Sequence, residues 1–188
     1  WADTYPYLAP DYTVGLPLVR AASSYPPELV VIRSCGTNRW EGQTLTATAR
    51  AMKLPPEEAA RVISSESPQA TAVALVVCPH CLDQILQEPW ITLCNDASAK
   101  PWYADRAAAE ELHPRTYGAF PRLLRLYVRE KQLLSWEEAV HLLTGRPARF
   151  LQLQDRGLIR VGHHADIVVF NPKTVRDTAT YSHPQSYP

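Results

Sequence analysis

The sequence predicts an α/β fold, and three observations carry that reading. Short apolar runs suited to buried strands recur at residues 29–33 (LVVIR), 70–77 (ATAVALVV) and 90–93 (WITL). Between them lie stretches with helix-start chemistry and helical spacing of apolar residues. Apolar residues make up 46% of the 188-residue chain and charged residues 20%, enough to build a core. Nineteen basic residues balance nineteen acidic ones, so the formal charge is zero. That balance argues against a nucleic-acid binder with a broad basic face. No run approaches the roughly 20 apolar residues of a membrane span, and the first residues show no basic n-region followed by an apolar h-region. Four cysteines are too few for a disulfide scaffold at this length. The expectation is a soluble, cytoplasmic protein with no nucleic-acid or membrane partner.

Along the chain, residues 2–7 read as a strand, and the Tyr- and Pro-rich stretch to Ser24 reads as turn-prone. After the strand at 29–33 comes a turn at Cys35-Gly36-Thr37-Asn38. Residues 43–53 read as a helix. A second helix opens at Pro55-Pro56-Glu57-Glu58 and runs to about Glu66, with proline in the first turn and acids behind it. The strand at 70–77 leads into a short helix over 79–87, with Leu82, Ile85 and Leu86 on one face. The strand at 90–93 ends in Cys94-Asn95-Asp96, and 97–111 reads as loop with a helical turn at 106–111. From Phe120 the spacing of Leu123, Leu124, Tyr127 and Val128 predicts an amphipathic helix. Ser135-Trp136-Glu137-Glu138 is a capping box whose helix ends before Gly145 and Pro147. The tail predicts two strands, 157–161 and 165–170, joined by Gly162-His163-His164.

Several residues carry chemistry. Asp96 stands at the end of an apolar strand and before a loop, where α/β folds place active-site carboxylates. Turns favour aspartate as well. His113-Pro114-Arg115 adds a titratable group and a fork of donors suited to a carboxylate. Cys78-Pro79-His80-Cys81 lies between a strand and a helix, where a helix N-terminus lowers a thiol pKa. This tetrapeptide resembles the active site of the periplasmic disulfide oxidases, and it offers an alternative function as a thiol–disulfide oxidoreductase. The simpler reading is two small apolar residues flanking a helix start. His163 and His164 fit either a metal or an exposed turn.

Read in order, six segments resemble the C-terminal part of the D-aminoacylase (N-acyl-D-amino-acid deacylase) family of the amidohydrolase superfamily. They are ADTYPY at 2–7, EGQTL at 41–45, CND at 94–96, HPRTYGAFPRLLRLYVRE at 113–130, LSWEEAVHLLTGRPA at 134–148 and DRGLIRVGHHADIVVFNPKTVRD at 155–177. The resemblance implies a metal-dependent (β/α)8 barrel with an insertion between strands 7 and 8 and a small β-domain. On that template residues 1–34 hold the end of strand 7 and its loop, and 35–89 an α/β insertion. Residues 90–150 hold strand 8 and the closing helices, and 151–188 part of the small β-domain. A complete barrel takes roughly 250 residues, so the expectation is the last third of an enzyme, inactive and prone to self-association by itself.

The family's reaction is zinc-dependent hydrolysis of N-acyl-D-amino acids to a carboxylate and a D-amino acid. By resemblance Asp96 is the strand-8 catalytic aspartate, Arg115 holds the substrate α-carboxylate, and Tyr5 lies beside it with Tyr7 as a rival. The family's metal ligands, an H-x-H pair, a cysteine and two further histidines, have no counterpart here apart from a contact by Asp96. No H-x-H occurs in the chain. Two positions depart from the family. Ala97 replaces the glycine after the aspartate, and Asp11 stands where a small polar residue is usual and would repel an acidic substrate.

Overall fold

Two strands distant in sequence lie side by side and set the frame of the molecule. The computed structural model describes residues 1–10, 14–36, 39–97 and 113–188. Strand β1 (Ala2–Thr4) pairs in parallel with β5 (Ile91–Leu93), in the register Ala2 to Ile91 and Thr4 to Leu93. The expected strand at 2–7 stops at Thr4. Pro6 has no N–H to donate, and the Tyr7 N–H turns back to the Tyr5 carbonyl at 2.9 Å.

Between these partners the chain builds an α/β layer of its own. Strands β2 (Val14–Pro17), β3 (Val30–Ser34) and β4 (Thr71–Ala74) form an antiparallel sheet in the order β2-β4-β3. Helices α1 (Leu18–Ser24), α2 (Leu45–Met52) and α3 (Pro56–Glu66) accompany it. Leu18, Ile32, Leu45, Ile63 and Ala72 share one core. The sheet crosses the boundary placed at residue 34, because β2 and β3 precede it and β4 follows it.

Over residues 14–24 the turn-prone reading is overturned by β2 and α1. Helix α1 has neither a side-chain cap nor an acid in its first turn. It forms because Leu18 and Ala21 are buried in the core, a tertiary cause with no local mark. By contrast α2 is capped by Thr44, whose side chain accepts from the Ala47 N–H, and α3 opens at Pro56 with Glu57 and Glu58 behind it.

A second core joins α4 (Pro79–Ile85) and β5 to the C-terminal helices through Leu82, Leu86, Ile91, Leu123, Tyr127 and Leu142. Helix α5 (Arg115–Arg122) starts earlier than Phe120 and contains Pro121. Immediately after that proline the helix widens to a π-helical segment, Leu123–Glu130, whose bonds reach one residue further. All four residues expected on its apolar face are buried. Helix α6 (Trp136–Leu143) has the complete capping box of Ser135 and Glu138, and a short α7 (Gly145–Phe150) follows through Pro147.

The tail corrects another expectation. Neither 157–161 nor 165–170 forms a strand, and no strand occurs in 151–188. A strand needs a neighbour to take its backbone hydrogen bonds, and no strand among the described residues pairs with either segment. Ile159, Val161 and Val169 are consequently 90%, 105% and 92% exposed. From Phe170 onward the chain docks again. Phe170 and Val175 pack on the second core, and Asp177 reaches under the helices. No helix among the described residues is long and apolar enough to cross a membrane.

Asp177 is the brace. Its carboxylate accepts from Arg125 Nε at 2.6 Å and from Arg122 Nη1 at 3.1 Å, while Arg122 Nε donates to the Pro6 carbonyl at 2.6 Å. Burial alone raises this carboxyl, but the Arg125 hydrogen bond and the two guanidinium charges outweigh it and hold it below its ordinary 3.8. A lowered carboxyl stabilises the fold above its unfolded value and loses that contribution as pH falls through the folded one. Melting curves should therefore show wild type losing stability below about pH 4, with a flatter decline in Asp177→Asn. At neutral pH the variant should be less stable by about 2 kcal/mol, since two arginines lose a buried anion. The bare apolar tail makes a separate prediction. The purified chain should self-associate, and Val161→Lys with Val169→Lys should move its light-scattering mass toward the monomer.

Candidate active site

The ends of β1 and β5 present the residues that the sequence singled out. Tyr5 follows β1 directly and Asp96 lies three residues past β5. The Cys94 N–H donates to the Thr4 carbonyl at 2.9 Å and keeps the two loops in step beyond the last strand pair. Asp96 has φ of 42°, a left-handed backbone that aspartate tolerates. The positive φ falls on Asp96 and not on Ala97, so the backbone does not demand a glycine at the altered position.

Arg115 is the first residue of α5 and is only 5% exposed. Its Nη2 lies 3.0 Å from Asp96 Oδ2, and its Nε donates to the Asp96 backbone oxygen at 3.0 Å. The guanidinium carbon sits 4.6 Å from the centre of the Tyr5 ring, a cation–π contact. The arginine side chain is 6% exposed and the aspartate side chain 59%, so a buried cation holds an anion that faces solvent. Asp96, Arg115 and Tyr5 are thus brought together. Tyr7 is not part of the trio. Its ring covers Arg122 at 4.6 Å and its hydroxyl donates to the Pro114 carbonyl at 3.3 Å. Gly118 makes room for that hydroxyl, because a Cβ there would collide with it.

Behind Arg115 stands a buried aromatic group that sequence reasoning did not assemble. His113 is 2% exposed and meets Tyr7 and Tyr181 edge-on, with ring centres 5.2 and 5.3 Å away. Tyr181 receives the Ala9 N–H on its hydroxyl at 3.2 Å, and its carbonyl accepts from Arg33 Nε at 2.7 Å. Burial pushes the Tyr181 hydroxyl up to about 12. No local signal in the sequence ties residue 181 to residues 9, 33 and 113.

The other candidates divide. Cys78 and Cys81 are free and exposed, and Cys78 Sγ accepts the Cys81 N–H at 3.2 Å as the cap of α4. Hydrogen bonds from Cys81 lower the Cys78 thiol, and the same contact raises Cys81. Burial, with Asp3 alongside, pushes the Cys94 thiol up to about 11, which keeps it protonated at neutral pH. His164 pairs with Asp155 at 3.0 Å in an exposed turn. Among the described residues no cluster of three or more histidines, cysteines or acids is placed to hold a metal ion. Asp11, Thr37 and Asn38, and the expected helical turn at 106–111, lie outside the described residues.

Comparison with known proteins shows what this chain is similar to. Residues 96–187 match the Amidohydrolase family. A 72-residue stretch is 53% identical to N-acyl-D-aspartate deacylase of Alcaligenes xylosoxydans xylosoxydans, covering 38% of this chain and 14% of that enzyme. D-aminoacylase of the same organism is 48% identical over 75 residues, 40% of this chain and 16% of that one. Among solved structures, N-acyl-D-glutamate deacylase of Bordetella bronchiseptica, complexed with zinc and a phosphonate mimic of the tetrahedral intermediate, is similar at TM-score 0.59 and 29% identity. That likeness covers 97% of this chain and 35% of the Bordetella chain. A D-aminoacylase studied for its binuclear metal centre is similar at TM-score 0.59 and 28% identity, over 98% of this chain and 35% of its own. The chain therefore spans about a third of the solved relatives it matches. These relatives are deacylases, and none supports the thiol–disulfide reading of Cys78 and Cys81. In sequence over residues 96–187, and in fold over nearly its whole length, this chain is similar to amidohydrolases, the D-aminoacylases and N-acyl-D-amino-acid deacylases among them.

Proposed function

We propose that this chain is part of a zinc-dependent amidohydrolase that cleaves N-acyl-D-amino acids to a carboxylate and a free D-amino acid. One observation carries the proposal. The buried fork of Arg115, roofed by Tyr5, holds a carboxylate where two parallel strands end. On this reading β1 and β5 are strands 7 and 8 of a (β/α)8 barrel, and such barrels place their chemistry at the C-terminal ends of strands. The antiparallel sheet with α1–α3 is then the insertion between them, and α5–α7 include the closing helices.

The described residues do not form a zinc site, since no cluster of ligands is present among them and no H-x-H occurs in the sequence. When bound, zinc supplies Lewis acidity toward the amide carbonyl and the attacking water. This chain's residues do the binding and the proton transfer. Arg115 grips the substrate α-carboxylate with two parallel N–H donors. Tyr5 covers the other face of the guanidinium and keeps water from it. The carboxylate already on Arg115 belongs to Asp96, so an arriving substrate takes its place. Asp96, released and facing solvent, accepts a proton from the attacking water on a carboxylate oxygen and returns it to the leaving amine nitrogen.

The test is hydrolysis by the full-length protein of N-acetyl-D- against N-acetyl-L-amino acids with zinc supplied. A clear D preference is expected, and equal rates on both would refute the assignment. Asp96→Asn should lower kcat by about 10²–10⁴-fold without loss of bound zinc, measured by steady-state rates and metal analysis. Arg115→Lys should raise KM for N-acyl-D-amino acids by about tenfold or more, because an ammonium cannot copy the paired bonds. The corresponding amides lack the negative charge and should change little. Equal losses on acids and amides would make Arg115 a structural residue.

A further inference from the structure

We infer that His113 is the positioning residue for Arg115, acting as a neutral imidazole protonated on Nε2. The inference rests on the reading of Arg115 as the carboxylate binder. Three observations lead to it.

The first is the state of the ring. Nδ1 of His113 accepts the backbone N–H of Arg115 at 3.0 Å, so Nδ1 carries no proton. Nε2 lies 2.7 Å from the Ala9 carbonyl oxygen, which can only accept, so Nε2 carries the proton and donates it. Both nitrogens are thereby committed to backbone groups. Neither is available to a metal or to a substrate proton, and a role in acid–base chemistry is excluded by geometry.

The second is what that bond replaces. A helix start leaves its first N–H groups without partners, and a side chain normally caps them. The residue before Arg115 is Pro114, which provides no side-chain cap. His113 fills that role from one residue further back. It fixes the backbone from which the Arg115 side chain springs.

The third is rigidity. The imidazole lies among Tyr5, Tyr7 and Tyr181, with interplanar angles of 63°, 89° and 78°. Ala9, its acceptor, is itself held by the Tyr181 hydroxyl. The ring is therefore a fixed strut between the loop after β1 and the start of α5. It sets the guanidinium under Tyr5 and toward the carboxylate.

The two ring nitrogens can be separated by substitution. In His113→Asn the side-chain oxygen stands near Nδ1 and can still accept from Arg115. In His113→Gln the amide nitrogen stands near Nε2 and can still donate to Ala9, but the Arg115 bond is lost. On N-acyl-D-amino acids the Asn variant should keep KM within about threefold of wild type. The Gln variant should raise KM by about tenfold to a hundredfold with a smaller change in kcat, and amide substrates should be spared. Equal KM values in the two variants overturn the inference. Nitrogen-15 spectra of the wild-type chain give a readout independent of catalysis and of variant folding. They should show Nε2 protonated and Nδ1 bare at neutral pH, and an Nδ1–H ring or an imidazolium overturns the inference. Titration with acetate, a bare carboxylate, should shift the Arg115 Nε–H signal in wild type and in the Asn variant but not in the Gln variant. Should N-acyl-D-amino acids not be hydrolysed while the tautomer and the acetate response hold, the reaction is misassigned and the positioning role stands.

Discussion

The parallel pairing of β1 with β5 is the constraint on which the site depends. Three residue pairs are all that join the strands, yet they fix where Tyr5 and Asp96 emerge. Residues this distant in sequence meet only if the chain between them folds back on itself. The antiparallel sheet and α1–α3 serve that end, and their core of Leu18, Ile32 and Leu45 encloses the detour as a unit of its own. Pairing so short is weak alone. It is reinforced from the second core, where Ile91 and Leu93 pack with Leu123 and Leu142. Arg146 adds a bond to the Ile91 carbonyl at 3.0 Å.

The C-terminal segment locks this arrangement from the other side. Asp177 gathers Arg122 and Arg125, and Arg122 in turn holds the Pro6 carbonyl, one residue from Tyr5. Tyr181 joins Ala9 and Arg33. Segments distant in sequence thus converge on the loop after β1. Most of these bonds run from a side chain to a backbone carbonyl or N–H, so they position the chain without depending on a matching side chain opposite. Nearby segments differ sharply in order for the same reason. In 177–181, Ala179 is buried and Asp177 and Tyr181 are half-buried among their partners, whereas Val168 and Val169 stay exposed.

What could be read from the sequence was what local chemistry writes. The Ser135 capping box, the Pro56 start of α3 and the apolar spacing of Leu123, Leu124, Tyr127 and Val128 all took their expected form. Asp96, Arg115 and Tyr5 were legible because each sits in a short distinctive string, and the structure brings all three together. Helix α1 was not legible, since burial alone creates it. The π-helical widening after Pro121 was hidden because it changes the hydrogen-bond ladder while leaving the apolar face intact. The two tail strands misled for the opposite reason. Their β-branched, apolar runs are genuine, but such a run describes a strand to be paired and cannot supply its partner. Tyr181 carries no mark at all, because its role comes from distant partners.

The asymmetry of the Asp96–Arg115 pair completes the picture. A fully buried ion pair is costly to break, because either partner is left charged in a poor solvent. A fully exposed pair is worth little and holds nothing in place. Here the guanidinium has left water while the carboxylate has not. The cost of desolvation therefore falls almost wholly on Arg115, and it is met by the Asp96 backbone carbonyl on Nε, the Asp96 carboxylate on Nη2 and the ring of Tyr5. Asp96 contributes a carboxylate that keeps most of its hydration and can be exchanged for another at small net cost. On the proposed function, a fixed cation with a replaceable anion suits a site that receives carboxylates in turn. It also explains why rigidity is concentrated behind Arg115 and not behind Asp96: only the partner that stays needs to be held.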